Sequence, residues 1–251
     1  MGKSSLGIAA AALSAACLLT GCSVLNQVVG ADSWKDWTPE ETALSVYGDG
    51  SVTETIFDSL NASWYTGDEL QDMIARSMKE YNAEWGEDAL NVTEYSDEGG
   101  QVRTTLVYKT GEDYARYNNV AFFSGSMLDA ELEGYLFTGP FAAVDGVQIS
   151  SGEADQDEAL SHKEYSVVIS DGTHAVQVPG EIRFISAGAQ MINSHAARSA
   201  PVGGSSAEDA AGTYVEPALA LSDKEFDRTL LYIIYEKDQD ADLLPSDLQQ
   251  E

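Results

Sequence analysis

Three histidines, two cysteines and 42 carboxylates are the first residues of this 251-residue chain to weigh for chemistry. His162, His174 and His195 stand far from one another and from any cysteine, so no close pair of the H-E-x-x-H kind that holds zinc occurs. Asp238-Gln239-Asp240-Ala241-Asp242 matches the opening of a calcium loop. Its sixth position is Leu243 where the turn needs Gly, and its twelfth is Gln249 where a bidentate Glu is needed. Asp155, Asp157 and Glu158 form a weaker cluster, and no metal or cofactor is assigned to either. G-x-S-x-G, the P-loop, G-x-G-x-x-G and S-x-x-K are all missing. A Ser–His–Asp triad can assemble from distant residues. His174, beside Asp171 and Thr173, reads instead as a polar residue closing a hairpin, and His195 in Asn193-Ser194-His195 is read as non-catalytic too. Among 42 acids no spacing singles out a pair for glycoside hydrolysis. No catalytic residue is assigned, and the chain is not expected to be an enzyme.

The one thiol that its neighbours single out is Cys22. Lys3 supplies a positive start, Leu6 to Leu19 form an apolar stretch too short for a membrane span, and Leu19-Thr20-Gly21-Cys22 closes it. Those four residues resemble a bacterial lipobox. The resemblance implies that Cys22 receives a diacylglyceryl group and becomes the first residue after cleavage. Residues 1–21 are then a lipoprotein signal peptide, and 22–43 are the lipidated Cys and a tether. Cys17 falls in the removed segment, so the mature chain has neither disulfide nor free thiol. Two acyl chains anchor stably where one binds only marginally. Trp34 and Trp37 in the tether either sit at the lipid headgroups or pack on the folded domain.

Charge narrows the partners. With 13 basic and 42 acidic residues the net charge is −29. A balance of that sign opposes nucleic acid and adsorption to anionic lipid. Apolar residues at 43% suffice for a core.

The elements that must position any site follow from periodicity. Leu44 to Phe57 reads as a hairpin through Gly48-Asp49-Gly50, with Val52, Glu54 and Ile56 alternating with Thr53, Thr55 and Phe57. Thr66 and Glu69 fit a capping box, followed by an apolar stripe of Leu70, Met73, Ile74, Met78, Tyr81 and Trp85 that ends at Gly86. The pattern repeats. Leu90 to Tyr95 and Val102 to Lys109 flank Asp97-Glu98-Gly99-Gly100, and a second helix opens at Thr110-Gly111-Glu112-Asp113-Tyr114. The fold class is therefore α+β: two ββα units on a mainly antiparallel sheet over 44–143, followed by a β-rich C-terminal half over 144–237. That half is either a second domain or a continuation of the sheet. Its strands are expected at Val147-Gln148-Ile149, Tyr165 to Ile169, Ala175 to Val178, Ile182 to Ile185 and Leu230 to Tyr235. The last is continuously apolar, as for a strand covered on both faces. Ser170-Asp171-Gly172-Thr173 and Pro179-Gly180 read as tight reversals. Residues 194–228 read as an irregular insertion, and 238–251 as an acidic disordered tail.

Aromatic residues are the remaining handle on a ligand. Trp64 and Tyr65 stand in the loop before the first helix, and Tyr114 and Tyr117 lie on the second. Such rings suit glycan- or peptide-binding surfaces, and suit equally well the anchoring of helix to sheet. Leu19-Thr20-Gly21-Cys22, the Val46-Tyr47-Gly48-Asp49-Gly50-Ser51-Val52 hairpin and the Tyr232-Ile233-Ile234-Tyr235 strand together resemble the uncharacterised surface lipoproteins of Gram-positive bacteria. That resemblance implies a lipid-anchored protein on the extracytoplasmic face of the cell membrane, with Cys22 as its lipidation site. The expected role is a non-catalytic binding or scaffold module for an envelope protein, peptide or glycan. A cell-wall or glycan hydrolase using unrecognised carboxylates and a transporter's solute-binding subunit are the alternatives.

Overall fold

The computed structural model describes residues 37–60, 66–137, 140–150, 156–199 and 230–238. Cys22, Trp64, Tyr65, residues 200–229 and the tail beyond Asp238 lie outside them.

Both expected hairpins form. β1 (Ala43–Val46) pairs antiparallel with β2 (Val52–Ser59), and β3 (Leu90–Glu98) with β4 (Gln101–Tyr108). Between Glu98 and Gln101 only Gly99 and Gly100 remain, at φ 65° and 83°. A two-residue turn with both φ values positive matches the twist of its strands, and glycine alone adopts it without strain. β2 then pairs with β4, laying the two hairpins side by side.

The helices follow their predicted openings. α1 (Gly67–Trp85) carries the capping box: Thr66 N donates to Glu69 Oε2 at 2.8 Å, and Glu69 N donates to Thr66 Oγ1 at 3.3 Å. α2 (Gly111–Asn118) is capped by Thr110, whose hydroxyl accepts from Asp113 N at 3.1 Å. The Asn82 amide exchanges two hydrogen bonds with the Leu90 backbone, at 2.8 and 2.9 Å, and so docks the end of α1 on the start of β3. Of the expected stripe, Ile74, Met78 and Tyr81 face the core, whereas Met73 and Trp85 are about half exposed. The cation–π stack of Arg116 over the Trp85 ring, 4.0 Å from its centroid, explains how an exposed Trp is held.

Two short helices were not expected: α3 (Met127–Leu132), which follows directly on β5 (Phe122–Ser126), and α4 (Gln156–Ser161). Six residues hold too few turns to show a period.

Strands β6 (Phe141–Asp145), β7 (Gln148–Ile149), β8 (Ser166–Ser170), β9 (Ala175–Gln177), β10 (Gly180–Ser186), β11 (Ala189–Asn193), β12 (Ala196–Ser199) and β13 (Leu231–Lys237) complete two sheets. The first runs β11-β12-β9-β1-β2-β4-β3 and is antiparallel except where β9 joins β1 in parallel; the second runs β5-β8-β13-β10-β6-β7, antiparallel throughout. The two segments read as tight reversals do not join paired strands. Ser170–Thr173 and the Pro179-Gly180 step each carry the chain from one sheet to the other, because β8 and β10 belong to the second sheet and β9 to the first. Residues 196–199, expected to be irregular, form β12. A boundary at 143/144 falls inside β6, and strands from beyond it enter both sheets.

Packing makes three layers. Leu44, Val46, Val52, Leu106 and Tyr108 of the first sheet meet Val168, Ile182, Ile185, Leu231 and Ile233 of the second. The helices α1 and α2 cover the β3–β4 end of the same face. On the second sheet's other face Val167, Ile169, Phe184, Tyr232 and Ile234 pack against Met127 and Ala130 of α3, Phe137 and Ala159 of α4.

Gly180 marks the tightest approach between strands: a methyl group there would lie 2.0 Å from the Glu236 carbonyl oxygen. Gly180→Ala is expected to destabilise the fold by about 1–3 kcal/mol, the usual range for overpacking. At about 2–4 °C per kcal/mol for a chain of this size, circular-dichroism melting would register that loss; an unchanged Tm would show that β10 and β13 can separate freely.

Candidate functional site

Residues 37–41, expected to belong to the tether, instead lie against the β11–β12 hairpin. The Arg198 guanidinium donates to Glu41 Oε1 at 2.7 Å. Next along, the Thr42 hydroxyl accepts from Phe57 N at 3.1 Å and fixes the start of β1 against β2. Between the two segments lies a cleft of about 600 Å³, lined by Trp37, Thr38, Glu40, Glu41, Met191, Ile192 and Arg198. That volume is in the range of small-ligand sites. Its wall combines an indole and two apolar side chains with acids, one of which already neutralises the arginine. The Glu41–Arg198 pair is exposed on both sides, so it orients the guanidinium while adding little stability. Trp37 therefore packs on the folded domain, one of the two places its sequence context allowed.

A second constellation is buried between the layers. Glu54 is 5% exposed, on the face of β2 shared with Val52 and Ile56. Its Oε2 accepts from the Tyr108 hydroxyl at 2.7 Å and from Asn118 Nδ2 at 3.5 Å, and its Oε1 lies 3.9 Å from His174 Nε2. Burial holds the Glu54 carboxyl above the usual carboxylate range; the hydrogen bonds from Tyr108 and Asn118 and the nearby His174 pull the other way without cancelling it. Burial and the adjoining Glu54 drive the Tyr108 phenol far above its ordinary value, so it stays a donor. The cluster ties β2, β4, α2 and the β8–β9 corner together. His174, expected to close a hairpin, sits at that corner with about a third of its side chain exposed.

A third set brings Ser194, His195 and Asp238 into line. Ser194 Oγ and His195 Nδ1 are 2.9 Å apart, and His195 Nε2 lies 3.4 Å from Asp238 Oδ2. The order is that of a nucleophile relay. The main chain shows what the set does mechanically: Ile182 N donates to Ser194 O, Val178 N to His195 O and Asp238 N to Pro179 O, at 2.9, 2.8 and 3.1 Å. These bonds strap the β11–β12 turn to the sheet-switching corner at Pro179, with the histidine buried beneath. Asp238, first residue of the calcium-like run, thus already faces an imidazole.

Of the aromatic ligand candidates, Trp64 and Tyr65 lie outside the described residues, as does Cys22. Tyr114 is corrected: it is 2% exposed and packs edge-on against Tyr108 and Phe122, with centroids 5.2 and 4.9 Å apart. Its ring is core, because α2 can cover the sheet only by inserting it. Tyr117 is half-buried, edge-on to Tyr81 at 5.3 Å, and its hydroxyl shares a hydrogen bond of 3.0 Å with Ser77. These rings join α2 to α1 and to the sheet. Neither Glu54 nor Arg198 was picked out from sequence. For Glu54 a signal was present, since it alternates in phase with Val52 and Ile56. For Arg198 there was none.

Comparison with protein-family models, with curated proteins and with solved structures finds no match.

The raised Glu54 value sets a pH dependence. A carboxyl whose folded value is raised binds its proton more tightly in the folded state. Its contribution to stability is complete below the unfolded value of about 4.3 and is lost as pH rises through the folded one. Glu54→Gln, which keeps the acceptor for Tyr108, is expected to raise Tm at pH 7–8 and to leave it unchanged near pH 4. Glu54→Ala removes the acceptor for the Tyr108 hydroxyl proton, leaving that oxygen only the bond it accepts from Asn118, and should cost about 1–3 kcal/mol at either pH. Equal shifts for Glu54→Gln at both pH values would refute a buried, proton-holding carboxyl.

Proposed function

We propose that this protein is a lipid-anchored extracytoplasmic binding module: Cys22 carries the lipid, and the cleft behind Trp37 takes the ligand. The observation that carries the reading is the cleft itself, a ligand-sized recess whose indole, apolar wall and charged rim are the groups binding sites use. Its location supports the anchor. Trp37 is 15 residues beyond Cys22 (37 − 22), so even a fully extended tether keeps the cleft within about 50 Å of the bilayer. A ligand in the envelope, rather than in bulk medium, is what such a leash favours.

A second reading has one observation in its favour. Glu54 beside the partly exposed His174 pairs a carboxyl of raised pKa with an imidazole, the combination general acid–base catalysis draws on. Hydrolysis of a glycan polymer by the purified protein, lost in a folded Glu54→Gln variant, would move the reading to a cell-wall or glycan hydrolase.

Two measurements test the proposal. Cys22→Ala should shift the protein from the membrane fraction to the soluble one, or leave an uncleaved precursor; unchanged fractionation and processing would remove the anchor from the reading. In a thermal-shift panel of oligosaccharides, cell-wall fragments and short peptides, a ligand at a hundred times its Kd adds about 2.7 kcal/mol. Trp37→Ala is expected to abolish that shift while melting normally without ligand. A shift that survives the substitution would place the ligand elsewhere.

A further inference from the structure

The cleft adjoins a sheet edge that no described strand pairs with, and the two together narrow the ligand class; this inference rests on the binding-module reading. Met191 and Ile192, which form the apolar wall, belong to β11, the last strand of the first sheet. An edge strand presents unpaired N–H and C=O groups, and folds ordinarily blunt such edges with charges, bulges or cover. The other described edges are blunted. At the far side of the sheet β3 carries Glu94, Asp97 and Glu98 and a bulge after Val92. In the second sheet β7 has two residues, and β5 lies against α2 and α3. β11 reads Ala189-Gln190-Met191-Ile192-Asn193, with no charge and no proline, and its one irregularity falls at the turn end, between Met191 and Asn193.

Charge states what the edge would accept. Arg198 is taken up by Glu41, which leaves Glu40, lining the same cleft as Trp37, as the cleft carboxylate without an ion-pair partner among the described residues. An indole with a carboxylate beside it suits an ammonium or guanidinium group, and a chain of net charge −29 steers cations toward itself. We propose that the β11 edge and the cleft form one site that takes an extended, basic polypeptide segment by strand addition, a lysine or arginine side chain entering the cleft between Trp37 and Glu40. Backbone pairing along β11 supplies affinity and the cleft supplies the preference for a basic side chain.

The test uses the full chain in detergent and a fluorescent peptide alternating valine and lysine, with its lysine-acetylated and glutamate counterparts as controls. The lysine peptide is expected to bind with an affinity that falls as salt rises, and the two counterparts are expected not to bind. Glu40→Gln should weaken binding about tenfold, the loss of one charge-assisted contact. Successive N–H groups point to opposite sides of a strand, so one of Gln190→Pro and Met191→Pro removes an outward donor while leaving the β12 pairing. That variant should fold by circular dichroism and lose the peptide. Lysine-peptide binding unaffected by Glu40→Gln and by the folded proline variant would be general attraction to an acidic protein and would overturn the proposal. So would self-association through β11, detected as a dimer that the proline variant abolishes, if no peptide binds. A neutral oligosaccharide binding in the peptide's place, and lost in Trp37→Ala, would overturn the peptide ligand while leaving the cleft a binding site.

Discussion

The second sheet has no side facing water over most of its width, and that constraint governs the rest of the molecule. Along β13 alone, Leu231, Ile233 and Tyr235 enter the core against the first sheet, whereas Tyr232 and Ile234 enter the core beneath α3 and α4. A strand in that position must be apolar at consecutive residues, and it stabilises both cores at once. The same demand shapes β8, whose Val167, Val168 and Ile169 are all essentially unexposed.

Covering the first sheet is a different problem, because it has seven strands and the layer above it is narrower at one end. There α1 and α2 take over, and they attach through tyrosines as well as through Ile74 and Met78. Tyr81 meets Tyr117 and Tyr108 meets Tyr114 edge-on, Tyr108 and Tyr117 are tilted to each other, and the buried Tyr81 and Tyr108 hydroxyls require polar partners inside the layer. Glu54, Asn118 and the Asp113 carboxylate, which accepts from Tyr81 at 3.0 Å, answer that requirement. The buried acid is thus the counterpart of an aromatic seam with polar tips. Its raised pKa follows from the seam's dryness, and its link to His174 extends the seam to the corner where the chain changes sheets.

Those corners decide where surface features come to lie. From β8 onward the chain passes from the second sheet to the first, back, across again to β11 and β12, and finally returns as β13. Each passage needs its backbone groups satisfied, and Ser194, His195 and Asp238 do this at the Pro179 corner. The β11–β12 hairpin that results ends the first sheet, next to residues 37–41, and the cleft is the space left between the arriving chain and that last hairpin.

Local patterns were readable without the structure. The Thr66–Glu69 capping box, the glycine turn before Gln101, the two ββα runs and the doubly covered strand at Leu230 to Tyr235 each depend on residues close together in the chain, where periodicity and turn chemistry act directly. Glu54 was legible in outline, as an acid in the apolar phase of β2, but its partners Tyr108, Asn118 and His174 are 54, 64 and 120 residues away (108 − 54, 118 − 54, 174 − 54). The parallel pairing of β9 with β1, the strand at Ala196–Ser199 and the use of two turn-like segments as sheet-switching corners left no local trace. Alanine and serine carry little strand preference, and a tight turn has the same composition whether its strands pair with each other or part for different sheets. Which of the two occurs is settled by long-range burial of both faces of the middle sheet, and so the meeting of Trp37 with Arg198 across the cleft was a decision of tertiary structure alone.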